Sequence, residues 1–147
     1  EALDSVLQQM ASSQHQLLDQ LEPHRQAIHA CTDVTGFGLL GHLGEMLASS
    51  SPLRVTLRAK SIPAYPEAMD RLAQGYASSL APANRRSWQW LDGPIQLDEE
   101  PSQALLELLV DPQTCGPLLL ACPETRAQTL TAEGPWIPIG NATADHG

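Results

Sequence analysis

Positive charge is scarce in this chain of 147 residues: eight Lys and Arg face 17 Asp and Glu, a formal charge of −9, and Lys60 is the sole lysine. Non-specific nucleic-acid binding relies on Lys and Arg neutralising phosphates, so this charge balance argues against it. A lysine-based grip on phosphate has to come from elsewhere. Anionic substrates would be held here through a cation or through backbone amides. No apolar run approaches the ~18–20 residues of a membrane span, and the opening segment, EALDSVLQQM, reads as an acidic helix and not as a signal peptide. The three cysteines, Cys31, Cys115 and Cys122, are an odd number without CxxC spacing. That pattern fits reduced, mostly buried thiols in a cytoplasmic protein. Internal repeats and low-complexity tracts are absent.

What is there is enough for one domain with a real core: 42% of residues are hydrophobic. Leu3, Val6, Leu7, Met10, Leu17, Leu18 and Leu21 recur at helical spacing and predict a helix over residues 2–21, stopped near Pro23. AIHAC reads as a short strand, and Leu39, Leu40, Leu43, Met46 and Leu47 mark a second helix ending in SSSP. Leu53, Val55 and Leu57 alternate with Arg54, Thr56 and Arg58, the pattern of a strand with one wet face. Residues 68–73 read as helix, and so does a short piece around 83–91 with Trp88 and Trp90 half-buried. PSQALLELLV predicts a helix started by Pro101 and stopped by the dense turn DPQTCGP. LLLAC then reads as a buried strand, PETRAQTLTAE as a helix and WIPIG as a last strand. Helices interleaved with strands predict a layered α and β domain.

The chemistry concentrates in ACTDVTGFGLLGHLGEM, residues 30–46. A glycine turn between a strand and a helix presents backbone N–H groups at the helix N-terminus, a ready anion site. Asp33, just before the turn, can hold a hard cation such as Mg²⁺, which binds through few carboxylates plus substrate phosphates. Thr32 and Thr35 add hydroxyls. Two other readings compete. In one, Thr35 or Asp33 caps the helix and the glycines merely allow a tight turn. In the other, His29, Cys31 and Asp33, alternating on one strand face, join His42 around Zn²⁺, although their spacing resembles no closed structural site.

LLVDPQTCG is the second unusual stretch. Asp111 before Pro112 can cap or form an Asx turn. Alternatively, this turn packs beside the first glycine motif and helps to shape a phosphate cleft. No His stands near Cys115 in sequence to activate it as a nucleophile. Asp98, Glu99 and Glu100 read as a solvated loop.

ACTDVTGFGLLGHLGEM together with LLVDPQTCGPLLLA closely resembles the C-terminal half of the selenophosphate synthetase (selenide, water dikinase) family. IPAYPEAM, GYASSLAPAN and IPIGNA stand where the family has corresponding features, so the likeness runs over about residues 2–142. The family sits in the aminoimidazole ribonucleotide synthetase-like superfamily, whose other members carry a different turn at TDVTGFG. The resemblance implies an α+β fold, a layered mixed β-sheet with flanking helices. It implies an ATP- and Mg²⁺-dependent kinase that makes selenophosphate from selenide, ATP and water, releasing AMP and phosphate. The catalytic Cys or selenocysteine, an essential Lys and most metal carboxylates belong to an N-terminal domain that this chain does not include. By resemblance Asp33 is the metal residue, and Thr32, Thr35, Gly36 and Gly38 form the nucleotide-phosphate loop around it.

The implied partners are that N-terminal domain, selenide, ATP and a second copy of the full enzyme, with neither nucleic acid nor membrane. One departure stands out. After DPQT the family carries a serine and two glycines, whereas Cys115, Gly116 and Pro117 stand here, and Pro117 lacks an N–H. Two rival expectations remain: a non-catalytic oligomerisation or anion-binding module, and another ATP-using member of the superfamily.

Overall fold

The computed structural model describes residues 2–50 and 52–145, with the Ala2 side chain left aside; Ser51, within the expected SSSP helix end, lies outside the described residues. The segment expected as one helix is two: α1 (Ala2–Met10) and α2 (His15–Leu21), followed by a 3₁₀ stretch, Glu22–Ala27, that carries Pro23 in its first turn. The break falls at a serine pair that bonds locally. Ser12 Oγ donates to the Gln8 carbonyl at 2.8 Å, and Ser13 Oγ accepts from the His15 N–H at 3.2 Å. Such side chains offer the backbone an alternative to the helix ladder. The apolar stripe stays largely outside the core: Leu3, Leu7 and Leu18 are exposed and only Leu21 is buried.

β1 (Ala30–Asp33) leads through the glycine turn into α3 (Gly38–Ala48), as the periodicity predicts. β2 (Leu53–Leu57) buries Val55 and Leu57 and exposes Arg54, the expected alternation. α4 (Ala68–Ala73) also matches its reading. The stretch read as a helix over 83–91 starts earlier and tightens midway. α5 (Ala81–Asn84) runs into a 3₁₀ segment, Arg85–Asp92, with Trp88 and Trp90 half-buried. β3 (Ile95–Leu97) was not legible: three residues following Pro94 give too little alternation to register.

α6 (Gln103–Val110) is capped by the Ser102 hydroxyl, which accepts from the Leu105 N–H at 3.1 Å, so Pro101 stands one place before the cap. β4 (Leu118–Ala121) and α7 (Glu124–Glu133) follow. β5 is Gly140–Ala144, starting where the expected WIPIG strand ends. Pro135 and Pro138 deprive the earlier residues of ladder donors, which is why pairing begins only after them.

The strands form two sheets. β1 pairs antiparallel with β4, Asp33 opposite Leu118. β2 is the centre of a mixed sheet in the order β3-β2-β5, parallel to β3 and antiparallel to β5. α3 and α6 pack on each other, and their buried faces meet both sheets in one core of Val34, Leu40, Leu43, Val55, Leu57, Ile95, Leu109, Val110 and Leu119. The fold is therefore the expected α+β layering, with the strands of the described residues split between two sheets. Among the described residues, no helix is long and apolar enough to cross a membrane.

Glu107, the charge in the middle of LLELLV, is buried and held by Arg85, whose Nε donates to both carboxylate oxygens at 3.0 and 3.2 Å. Buried carboxylates persist when paired in this way. The cysteines correct one expectation. All three are free, but Cys31 and Cys115 are exposed and Cys122 is only half-buried.

Candidate functional site

The two unusual stretches fold against each other. The Val34 N–H donates to the Pro117 carbonyl at 2.9 Å, and the Gln113 N–H donates to the Thr35 carbonyl at 3.0 Å. Buried Asn84 clamps both from a third direction: its Nδ2 donates to the Gly36 carbonyl at 2.8 Å and to the Val110 carbonyl at 3.0 Å. Two glycines permit the approach. Gly38 has φ +73°, and a Cβ there would sit 2.7 Å from the Val110 carbonyl carbon. Gly116 is buried so tightly that a Cβ would collide with the Val34 carbonyl oxygen. Gln14, at the head of α2, donates its amide to the Gly116 carbonyl.

This scaffold delivers Asp33 at the end of β1 with its side chain exposed. Cys31 and Asp33 lie on the exposed face of that strand, as alternation predicts, while His29 is exposed in the bend just before it. Thr32 is half-buried, and its hydroxyl donates to the Asp33 carbonyl at 3.3 Å. Gly36 is exposed, and nothing lies within 4 Å of where its Cβ would be, so that part of the loop is open. Gly38 is buried under the end of α6 and serves the packing of the loop.

Thr35 is tied inward, its Oγ1 lying 3.2 Å from His42 Nε2. Neither Thr35 nor Asp33 caps α3. The cap position is Phe37, which makes no side-chain cap bond, so the first-turn donors are left without that side-chain partner.

The zinc arrangement does not form. Among the described residues no three His, Cys, Asp or Glu converge on a metal position. His42 Nε2 is hydrogen-bonded to Thr35 Oγ1, and its Nδ1 lies 3.3 Å from Glu45 Oε2. Desolvation, reinforced by the Asp33 charge, raises the Cys31 pKa, which disfavours the thiolate a nucleophile needs. Burial likewise raises the Asp111 carboxyl, with Glu107 adding to the rise. The Gln113 amide, which donates to Asp111 Oδ2 at 3.1 Å, opposes it. Lys60 is spent elsewhere, paired with Glu99 at 2.8 Å.

The Asp33 carboxylate is exposed beside the open loop, whereas Thr32 is half-buried and the Thr35 hydroxyl is occupied by His42. A carboxylate suits a hard cation shared with phosphate, but one alone cannot complete its coordination. The Pro117 departure costs the turn little, since the contact made from that position runs through its carbonyl. Cys115 takes φ +49°, a left-handed conformation in which a Cβ is strained. Sequence reasoning missed Asn84, whose only signal is an amide in a helix otherwise built from Ala and Pro. The contacts of His42 with Thr35 and Glu45 left no signal in the sequence.

Comparison with known proteins identifies the family. A selenide, water dikinase of Desulfitobacterium hafniense is 40% identical over 105 residues, covering 69% of this chain and 28% of that protein. One of Pelobacter propionicus is 39% identical over 105 residues, covering 71% of this chain and 29% of its own length. One of Rhizobium meliloti is 40% identical over 103 residues, covering 70% and 28%. The chain therefore spans under a third of the length of these relatives. The family described as AIR synthase related protein, C-terminal domain, matches residues 6–147. With that match running over nearly its whole length, the chain belongs to the AIR synthase related C-terminal domain family.

Proposed function

We propose that this chain is the C-terminal domain of a cytoplasmic, homodimeric selenide, water dikinase. That enzyme makes selenophosphate from selenide, ATP and water. The observation that carries the reading is the junction of the two motifs, which holds an exposed carboxylate, Asp33, beside an open glycine loop. The 37–40% identity to selenide, water dikinases supports the substrate assignment.

In this reading the chain forms one wall of the ATP site and Asp33 is its contribution to Mg²⁺. Bound Mg²⁺ offsets the charge of the phosphates during phosphoryl transfer. The residues of this chain do the positioning. Asn84 and Gln113 hold the loop rigid, Gly36 leaves room for a phosphate to approach, and the uncapped start of α3 offers backbone donors to it. The nucleophile, the lysine and the remaining metal carboxylates come from an N-terminal domain.

Two assays test the proposal together. The longer parent polypeptide should form AMP and orthophosphate from ATP only when selenide is present. The 147-residue chain alone should not. Selenide-dependent AMP production by the chain alone would refute the division of labour. A parent polypeptide that consumes ATP without selenide would point to another reaction of the superfamily.

A further inference from the structure

α1 is amphipathic: Leu3, Val6, Leu7 and Met10 recur at three- and four-residue steps and so share one face. That face is not built into the domain. Leu3 is 68% and Leu7 52% exposed, and Val6 and Met10 are only half-buried. The main packing of the domain runs through α3, α6 and the two sheets, and among the described residues α1 has no comparable partner in it. Helices shorter than ~12–15 residues are marginal in water and draw their stability from packing an apolar face. α1, of nine residues, lacks that contact within this chain.

α2, by contrast, is anchored. Its Leu21 is buried, and Gln14, at its head, donates its side-chain amide to the Gly116 carbonyl. Gly116 lies in the turn packed on Val34, the neighbour of Asp33. The joint over residues 11–14 thus fastens the end of α1 to the unit that carries the exposed carboxylate.

We propose that α1 is a docking helix whose Leu3–Val6–Leu7–Met10 face packs on the domain that precedes it in the longer parent polypeptide. Two observations select that occupant. The 105 matched residues make up only 28% of the Desulfitobacterium hafniense relative, and the matching family is a C-terminal domain, so the remaining length lies upstream of α1. The apolar face is also small. Two exposed leucines and the edges of Val6 and Met10 offer far less than the ~800 Å² per partner that free association of two copies needs. A domain tethered to α1 meets no such demand, because the tether raises its effective concentration to roughly millimolar. The consequence rests on the function proposed above: a cation shared between Asp33 and upstream carboxylates requires the two domains to be held in register. α1, fixed at Gln14, is the element that holds them.

The test compares amide hydrogen exchange over residues 2–10 in the 147-residue chain and in the parent polypeptide. In the chain alone these amides should exchange at close to the rate of an unstructured peptide. In the parent they should slow by more than about tenfold. Leu3→Asn combined with Leu7→Asn should leave the melting temperature of the chain alone unchanged and abolish the slowing in the parent. Leu7→Met, which keeps an apolar side chain, should retain it. Unslowed exchange in the parent, or slowing that survives the double substitution, would overturn the proposal. Slow exchange in the chain alone would overturn it too. If that slowing depends on concentration, a second copy covers α1, and if it does not, α1 packs on its own domain. Exchange needs no turnover, so docking can fail while selenide-dependent AMP formation holds, and stand if it does not.

Discussion

Gly116 and Val34 meet main chain to main chain: a Cβ on Gly116 would run into the Val34 carbonyl oxygen, which belongs to the other motif. The two segments that carry the family likeness are therefore a single packed unit, and glycine is required at the point of contact.

Gly116→Ala should destabilise the chain by about 2–3 kcal/mol, the cost of forcing atoms into a filled space. Gly36→Ala is the contrast, because its Cβ meets open space and its backbone is not left-handed. It should change stability by no more than about 0.5 kcal/mol. Urea denaturation of both variants checks the pair, and a Gly36→Ala variant as unstable as Gly116→Ala would contradict the packing described.

Asn84→Ala should cost about 1–3 kcal/mol, since it leaves the carbonyls of Gly36 and Val110 without their buried donor. Asn84→Asp should be worse than Ala. It keeps the shape but sets an acceptor-only group against two carbonyl oxygens. Chemical denaturation at neutral pH orders the three proteins.

Asp111 gives a pH signature. Burial and nearby Glu107 raise its folded-state pKa above the unfolded value, with Gln113 opposing the rise. The charged carboxylate then costs stability above the folded pKa. That cost disappears as pH falls through it towards the unfolded value. Asp111→Asn should accordingly melt higher than the unmodified chain at neutral pH, and the gap should close on acidification. A gap that widens as pH drops would reverse the sign.

The elements that set the site were legible because each had a long, regular pattern. The apolar face of α3 and the alternation of β2 read directly into helix and strand, and the glycine turn between β1 and α3 fell where its composition placed it. The failures have local causes. α1 and α2 share one apolar period, but serine side chains at residues 12 and 13 bond their own backbone and break the helix. β3 is too short to alternate, and β5 is displaced past Pro138. At the site, the glycine turn after Asp33 was readable from local spacing, whereas the role given to Asp33 comes from the family resemblance. Asn84 and the Thr35–His42–Glu45 chain were not, because their partners depend on how α3, α5 and α6 pack.

The most direct measurement is Asp33→Asn in the longer parent polypeptide, assayed for selenide-dependent AMP formation at limiting Mg²⁺. The variant keeps the size of the side chain and removes the charge that would hold a hard cation. Turnover should fall by more than about 10²-fold, the scale of a lost electrostatic stabiliser, with an unchanged melting temperature. Normal turnover at limiting Mg²⁺ would show that Asp33 does not serve the metal, and the proposed role of this domain would be wrong.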